Sequence, residues 1–324
     1  MLNAKANIKK IEAAISRSEH IMLVTHNNPD IDATSSVFAS SHLLDHFGKN
    51  HTIFFKQNPA KYLIALDPYK KFITEENGEE SFKTHDLFIV LDTGDFLHTG
   101  IEKWLASVKG KAPIINIDHH ETNTFFGDIN LVWPSAVSTT EILFDIYKHL
   151  DINLLPKIAN HLLAGIITDT NNFTNFNTTS KSLETASELI KKGANIAKVM
   201  KSAKQKKTRE EIQAWGKIFS RLTKNNKQNI AYTIITKEDA KDYSHDPSIL
   251  DGLSNYLNNI SDAKISVLIK EMPDETIKVS LRTNDDLIDV SKFAKMFNGG
   301  GHKKAAGFSI KGKLEKTEKG WKIV

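Results

Sequence analysis

Three short segments carry side chains whose types and spacing suit metal-dependent chemistry. Residues 26–32 contain His26, Asp30 and Asp32, residues 92–95 begin with Asp92, and residues 118–120 read Asp-His-His. Aspartates and histidines so close together supply carboxylate oxygens and imidazole nitrogens, which are ligands that divalent cations bind. So many charges on one fold need a compensating partner, because an unpaired buried charge is strongly unfavourable. The spacing therefore indicates a cation site.

The elements that would position these segments are short strands. Each segment follows an apolar run, at residues 21–24, 87–91 and 114–117, of a length typical of buried parallel strands. Helices are predicted at 7–19, 33–48, 137–150 and 156–168, and a strand at 51–55, with another short strand near 71–74. Strands that alternate with helices indicate an α/β fold with a parallel sheet. Ligands of such sheets bind outside the carboxyl ends of the strands, so the three segments are expected at one rim.

The chain is expected to contain two domains. Residues 1–192 are predicted to form the larger domain, residues 193–224 a helical linker, and residues 225–324 a smaller α/β domain. In the last of these, strands are predicted at 230–235, 264–269 and 276–282 and helices at 247–257 and 290–296. The lysine-rich stretch 198–207 is either a solvated helix face or a phosphate-facing surface.

A glycine run near the end of the chain is a second candidate site. Gly300 and Gly301 stand in a Gly-Gly-Gly-His sequence that ends at His302, and a helix-like run of small residues follows at 305–307. Glycines allow backbone N–H groups to approach an anion closely. Arg282 would add a further donor. The pattern favours a phosphate pocket, although flexible loops also use glycine runs.

Composition excludes several classes of site. The chain has 324 residues and no cysteine, so disulfides, thiolate zinc sites and cysteine nucleophiles are excluded. The net charge of +4 is compatible with a phosphate-bearing ligand without requiring one. No apolar stretch is long enough for a signal peptide or a membrane span, so a cytoplasmic protein without a membrane partner is expected.

Each acidic segment also has a structural interpretation. Asp32 and Asp92 could cap helices, since aspartate is a common N-cap residue. Asp118 followed by two histidines is harder to explain in this way. A further acid, Asp169, follows an apolar stretch, and the nearby Phe173 and Phe176 could stack on a base or pack in the core.

Taken together, the motifs resemble those of the DHH phosphoesterase family over almost the whole chain. The pattern His-x-x-Pro-Asp-x-Asp is met at residues 26–32, the second motif by Asp92, the third at residues 118–120 and the fourth by Asp169. The Gly-Gly-Gly-His run with residues 305–307 is similar to the DHH-associated substrate domain. The resemblance implies that residues 1–192 are the catalytic domain and that residues 225–324 bind substrate. Size and domain pairing resemble the branch of nanoRNases and pAp phosphatases. That branch usually has glycine where this chain has Ile31 and Ser35, a departure that bears on substrate range.

The resemblance implies two divalent metal ions, Mn²⁺ or alternatively Mg²⁺. One ion would be bound by His26, Asp30 and Asp92, and the other by Asp32, Asp92, His119 and Asp169. His120 would stabilise the developing charge or help to protonate the leaving group, and Asp118 would orient a histidine. The substrate's terminal phosphate would contact Arg282, Gly300, Gly301 and His302.

The resemblance also implies the reaction. We expect hydrolysis of short oligoribonucleotides to 5′-mononucleotides, hydrolysis of pAp to AMP, or both. Cyclic di-AMP or pApA is the alternative substrate, and an activity like that of family II pyrophosphatases is a minor one. An inactive nucleotide-binding regulator is disfavoured because every ligand position is filled. A homodimer is left open.

Overall fold

The polypeptide divides into two units, Met1–Gln205 and Lys206–Val324, in the computed structural model of the protein. It describes residues 2–59, 64–67, 70–74, 81–175, 177–203, 208–244, 247–250, 252–260, 262–317 and 320–324. The domain boundaries predicted at residues 192 and 225, with a linker between them, remain a prediction. Within its proposed linker, the helix Arg209–Phe219 buries Ala214 and Ile218 in a core of the second unit.

A five-stranded parallel sheet organises the first unit, which confirms the predicted fold class. Its strands are β1 (His20–Val24), β2 (Asn50–Ile53), β3 (Leu87–Leu91), β4 (Ile114–Asp118) and β5 (Ile129–Val132). They lie in the order β2-β1-β3-β4-β5, and every pair is parallel. Strand β5 was not predicted, because it has only four residues and includes the polar Asn130. The strand expected near 71–74 is only an isolated bridge between Phe54 and Ile73.

Eight helices are described in this unit. They are α1 (Leu2–Arg17), α2 (Ile31–His46), α3 (Phe96–Thr99), α4 (Glu102–Val108), α5 (Thr139–His149), α6 (Pro156–Asp169), α7 (Ser180–Lys191) and α8 (Ile196–Ala203). The side chains of Asp30 and Ser138 cap α2 and α5. The short helices α3 and α4 were not predicted. None of the described helices is long and apolar enough to cross a membrane.

Both faces of the parallel sheet are covered. Successive side chains of a strand point to opposite faces. Ile21 and Leu23 of β1 accordingly pack in a large core with α1, α2, α5 and α6, whereas Met22 and Val24 pack in a smaller core with Leu105 of α4. Layers on both faces explain why the central strands consist of continuous apolar runs.

The second unit is a six-stranded mixed sheet with helices. Its strands are β6 (Thr223–Asn225), β7 (Ile230–Ile235), β8 (Ile265–Glu271), β9 (Thr276–Arg282), β10 (Gly300–His302) and β11 (Ala305–Lys311). They lie in the order β10-β11-β9-β8-β7-β6, and only β7 and β8 pair in parallel. Leu314–Thr317 and Gly320–Ile323 form a separate pair, β12 and β13.

The helices of the second unit are α9 (Arg209–Phe219), α10 (Lys237–Asp242), α11 (Leu253–Ile260) and α12 (Val290–Lys295), with a 3₁₀ turn at Pro247–Leu250. One expectation was wrong here: the small-residue run at 305–307 is not helical but opens strand β11. Ala306 and Phe308 are both buried, which is the two-residue period of a strand.

Helix α6 crosses the start of α2 at a glycine. A Cβ atom placed on Gly165 would overlap the carboxylate of Asp32 and the hydroxyl of Thr140. No side chain fits there, because both neighbours are buried and held by hydrogen bonds. The close approach of α6 to α2 and α5 therefore requires glycine at this position.

We expect Gly165→Ala to lower the free energy of unfolding by about 1–3 kcal/mol, the usual cost of overpacking a core. Gly216→Ala is the matched control, because Gly216 also lies within a helix but has open space around its Cβ position. That change is expected to be neutral or to stabilise by up to about 1 kcal/mol through helix propensity. Urea unfolding of both variants measures the difference, and equal effects would contradict the packing argument.

Candidate active site

Asp92 lies at the centre of the first unit's polar rim, directly after β3. Its backbone has φ 56, a left-handed conformation that aspartate and asparagine tolerate better than most residues. It does not cap a helix, since Asp95 caps α3. The side chain is buried, and its Oδ1 accepts a hydrogen bond of 2.8 Å from the Thr139 hydroxyl. The strained turn thus presents one carboxylate at the strand end.

Three histidines surround this carboxylate. The Nε2 atoms of His26 and His119 lie 3.8 Å and 3.6 Å from Asp92 oxygens, and the Nδ1 atom of His120 lies 3.9 Å away. His26 follows β1, whereas His119 and His120 follow β4. The two strands flank β3 in the sheet, so parallel neighbours bring these residues to one edge, as expected.

Asp32 is buried in the first turn of α2, while Asp30 is the residue that caps this helix. Asp32 accepts hydrogen bonds from the N–H groups of Thr139 and Thr140, at 2.7 Å and 3.1 Å, and from the Thr140 hydroxyl at 2.7 Å. Asp169 ends α6, and its Oδ2 lies 3.5 Å from Nε2 of His119. Five separate chain segments therefore converge at the rim.

All six predicted metal ligands lie in overlapping groups. Within each group the potential ligand atoms lie within 4.8 Å of one another; the groups are His26 with Asp30 and Asp92, Asp32 with His119 and Asp169, and Asp92 with His119 and His120. Asp92 and His119 each belong to two groups. This overlap is what two neighbouring cations with a shared carboxylate require.

The electrostatics of the rim also favour cations. Burial raises the pKa of Asp92 well above its ordinary value, and the nearby charges of Asp32 and Asp30 raise it further. The pKa of Asp169 is raised in the same way, by burial and then by Asp32. Burial lowers the pKa of His119, so its imidazole stays neutral with a lone pair available. Buried carboxylates that repel one another beside neutral imidazoles fit a divalent cation.

Asp118 and His120 form a separate hydrogen-bonded pair. Nδ1 of His120 lies 2.7 Å from Oδ1 of Asp118, and the Asn123 amide donates to the other carboxylate oxygen at 2.6 Å. Burial alone would lower the pKa of His120, but the bond to Asp118 outweighs it, so this pKa is raised. His120 thus carries a proton more readily than an ordinary histidine.

In the second unit, three neighbouring strands bring the other predicted residues together. His302 of β10 pairs with Ala305 of β11, which pairs with Arg282 of β9. The side chain of His302 lies outside the described part of the structure. The Arg282 guanidinium donates from Nε to Asn255 at 2.9 Å and from Nη1 to the Leu281 carbonyl at 2.9 Å.

Packing explains two of the three glycines in this run. A Cβ on Gly299 would overlap the Gly307 carbonyl, and one on Gly301 would lie 2.5 Å from the Ala305 carbonyl. Gly301 also has φ 129, which few other residues adopt. Gly300 has open space at its Cβ position. Packing therefore does not account for glycine at position 300.

Several residues of the rim were not identified from sequence. Thr139 and Thr140 hold the carboxylates, and Ser138 caps the helix that carries them; the one available signal was the Ser-x-x-Glu pattern at 138–141, typical of a helix start. Ile31 begins α2, and the buried Ser35 lies within it, so neither needs glycine. Phe173 packs against the core, whereas Phe176 lies outside the described residues.

Two family models match this chain. The model of the DHH family N-terminal domain matches residues 20–166, and that of the DHHA1 domain matches residues 226–320. The bifunctional oligoribonuclease and PAP phosphatase NrnA of Thermus thermophilus is 28% identical over 292 residues, which cover 90% of this chain and 84% of that protein. The protein of the same name from Bacillus subtilis is 28% identical over 91% of this chain and 91% of its own length.

Other matches are more distant. The cyclic-di-AMP phosphodiesterase PdeA of Listeria monocytogenes is 24% identical over 96% of this chain but only 48% of that protein. The crystal structure of an exopolyphosphatase-related protein from Bacteroides fragilis superposes with a TM-score of 0.85 at 23% identity, covering 94% of this chain and 90% of that one. RecJ from Thermus thermophilus in complex with Mn²⁺ gives a TM-score of 0.55 at 12% identity, covering 95% and 52%. These two structures show the same fold.

We expect Asp92→Asn to stabilise the metal-free protein at neutral pH by roughly 1–3 kcal/mol, the scale of a poorly compensated buried polar group. Because the pKa of Asp92 is raised above 3.8, the folded state retains a proton that the unfolded chain releases, so stability of the metal-free wild type falls as pH rises through the raised pKa. Asparagine removes this charge, tolerates the left-handed backbone and can still accept from Thr139.

Thermal unfolding in a chelator, at about pH 5 and about pH 7.5, measures the effect through its pH dependence. Asp151→Asn is the control, because Asp151 is exposed and also left-handed, with φ 53. A variant at 92 whose stability and pH dependence match those of the wild type would contradict the proposed repulsion.

Proposed function

The chain belongs to the DHH family, and we propose that this phosphoesterase hydrolyses short oligoribonucleotides to 5′-mononucleotides and pAp to AMP. The observation that carries the proposal is the buried Asp92 carboxylate shared between overlapping histidine–aspartate groups. The names of the relatives from Thermus thermophilus and Bacillus subtilis, which match over most of the chain, support this substrate class.

Two divalent ions, of which Mn²⁺ is the preferred candidate, would be held by the rim. We assign His26, Asp30 and Asp92 to one ion and Asp32, Asp92, His119 and Asp169 to the other. When bound, such ions make water a nucleophile at neutral pH and offset charge on phosphoryl oxygens. The Mn²⁺ complex of RecJ, which shares the fold, supports the choice of metal.

His120 is proposed to donate the proton that the leaving oxygen requires. Its Nδ1 atom is engaged by Asp118, which leaves Nε2 as the atom that can face the substrate. The raised pKa of His120 favours the protonated ring, and its side chain is partly open to solvent. Asp118, itself fixed by Asn123, orients the imidazole.

The second unit is proposed to bind the end of the substrate. Arg282, Gly300, Gly301 and His302 are the residues assigned to this task. The open space at Gly300 and the backbone register of His302 with Arg282 support it. Extended grooves with stacked aromatics are typical of proteins that bind long strands, and the net charge here is only +4. Short substrates are therefore favoured.

A cyclic-di-AMP or pApA phosphodiesterase is the second candidate. The observation that favours it is the match of nearly the whole chain to the Listeria monocytogenes enzyme. The same rim could hydrolyse oligoribonucleotides as well as cyclic di-AMP or pApA, because each of these reactions attacks a phosphodiester. Only direct comparison of substrates separates the two.

We expect pAp and RNA of two to five nucleotides to be hydrolysed at least about tenfold faster than a twenty-mer, with a shallow salt dependence because few phosphates are contacted. Rates with Mn²⁺ on pAp, a dinucleotide, a five-mer, a twenty-mer and cyclic di-AMP test this. Asp92→Asn controls for contaminating nucleases. Equal rates on the five-mer and the twenty-mer, with a steep loss of rate at higher salt, would reject the assignment.

We expect His120→Gln to lower kcat by about 10²–10⁴-fold, the usual contribution of general acid–base catalysis, with little change in KM. His149→Gln, on an exposed helix end, is the control and should leave both constants unchanged. Calorimetry with Mn²⁺ must show wild-type metal binding in the variant. Loss of a bound ion would instead identify His120 as a ligand, as its place near Asp92 and His119 allows.

A further inference from the structure

A second histidine–carboxylate group lies away from the rim. His42 on α2, His161 on α6 and Asp67 each offer one potential ligand atom, and these atoms lie within 4.8 Å of one another. At about 1.5 Å per residue, His42 lies about 15 Å further along α2 than Asp32. The group is therefore distinct from the sites assigned to the catalytic ions.

The most unusual member is His161. It is fully buried, and neither Nδ1 nor Nε2 has a hydrogen-bond partner within the described part of the chain. Its ring packs edge-on against Phe38 at 5.3 Å and lies 6.2 Å from the ring of His42. Buried polar groups are almost always partnered, since leaving them unpaired is unfavourable. A bound cation would give one of these nitrogens its partner.

His42 is oriented as metal-binding histidines usually are. Its Nε2 atom lies 2.8 Å from Oδ2 of Asp67, while its Nδ1 atom lies 3.4 Å from Oδ2 of Asp45. Asp45 is itself held by Lys70 at 2.7 Å. A carboxylate on the far nitrogen fixes the ring and makes the near nitrogen a better ligand. One nitrogen of each imidazole therefore lies within 4.8 Å of the other and of an oxygen of Asp67.

We propose that His42, Asp67 and His161 bind a zinc ion that links α2, α6 and the segment at 64–67. Two imidazoles and one carboxylate form a typical zinc ligand set, with a fourth position for water. The set is poorer in oxygen than the rim and so favours zinc over Mg²⁺ or Mn²⁺. The alternative is a simple His42–Asp67 ion pair beside a packed histidine, which predicts no dependence on metal.

The proposed zinc ion would have a structural role, because both helices that it links reach the rim. Helix α2 begins beside Asp32, and α6 ends at Asp169. A zinc ion between the two helices would hold their spacing and with it the rim. Zinc should then stabilise the whole protein even when the catalytic ligands are removed, because binding to the folded state alone raises its stability.

The test compares the full chain with His161→Leu and Asp67→Asn after removal of all metal. Leucine removes the unpartnered nitrogens, and asparagine keeps the shape of Asp67, so both variants are expected to fold. Equilibrium dialysis against Zn²⁺ should show one equivalent fewer bound per chain in each variant. The zinc-dependent rise in melting temperature that remains in Asp92→Asn should be lost when either substitution is added to that variant.

Asp151→Asn is the surface control and should bind zinc as the wild type does. Crystals grown with Zn²⁺ should show an anomalous peak between His42, Asp67 and His161. Unchanged zinc stoichiometry in both variants, or no peak at this position, would overturn the proposal. The readouts are metal content and stability, so the result does not depend on whether the chain hydrolyses oligoribonucleotides.

Discussion

Repulsion among buried carboxylates is the constraint around which the first unit is built. Asp32 and Asp92 are buried, and the pKa values of Asp92 and Asp169 are raised first by burial and then by neighbouring acids. The unfavourable free energy of burying these carboxylates together is offset only if hydrogen-bond donors and cations lie next to them. The elements that meet at the rim supply the donors, and the proposed metal ions supply the positive charge.

The start of α5 is the most important of these elements. Thr139 and Thr140 direct two N–H groups and a hydroxyl at Asp32, and the Thr139 hydroxyl binds Asp92. These groups belong to the first turn of a helix, where N–H groups are otherwise unpaired and the helix dipole favours negative charge. One helix terminus therefore holds acids from two other segments, and Gly165 allows α6 to approach closely enough to add Asp169.

In the second unit, the glycine run at 299–301 has more than one physical explanation. The glycine run is required partly by strand pairing, since Gly299 and Gly301 have no room for a side chain against β11. Only Gly300 has space that packing does not explain. A glycine run that suggests anion binding can thus result largely from two strands that lie close together. The residues that remain candidates for binding an anion are Gly300, His302 and Arg282.

The sequence by itself determined the parallel strands and the acids at their ends. Both are local signals: an apolar run such as 87–91 predicts a buried strand, and Asp92 must then stand at its end. Capping detail was less predictable, because Asp30 and Asp32 are both suitable cap residues and only the backbone decides between them. The edge strand β5 was missed because its four residues carry no distinctive pattern.

Tertiary structure decided which distant residues meet. Asp32 and Thr140 are 108 positions apart, and His161 meets His42 only because α6 packs on α2. Local sequence patterns do not predict such contacts, since these depend on how α6 crosses α2 and on Gly165, which permits the close approach. The acids could therefore be identified from sequence, whereas the groups that hold them, and the separate histidine group between two helices, required the fold.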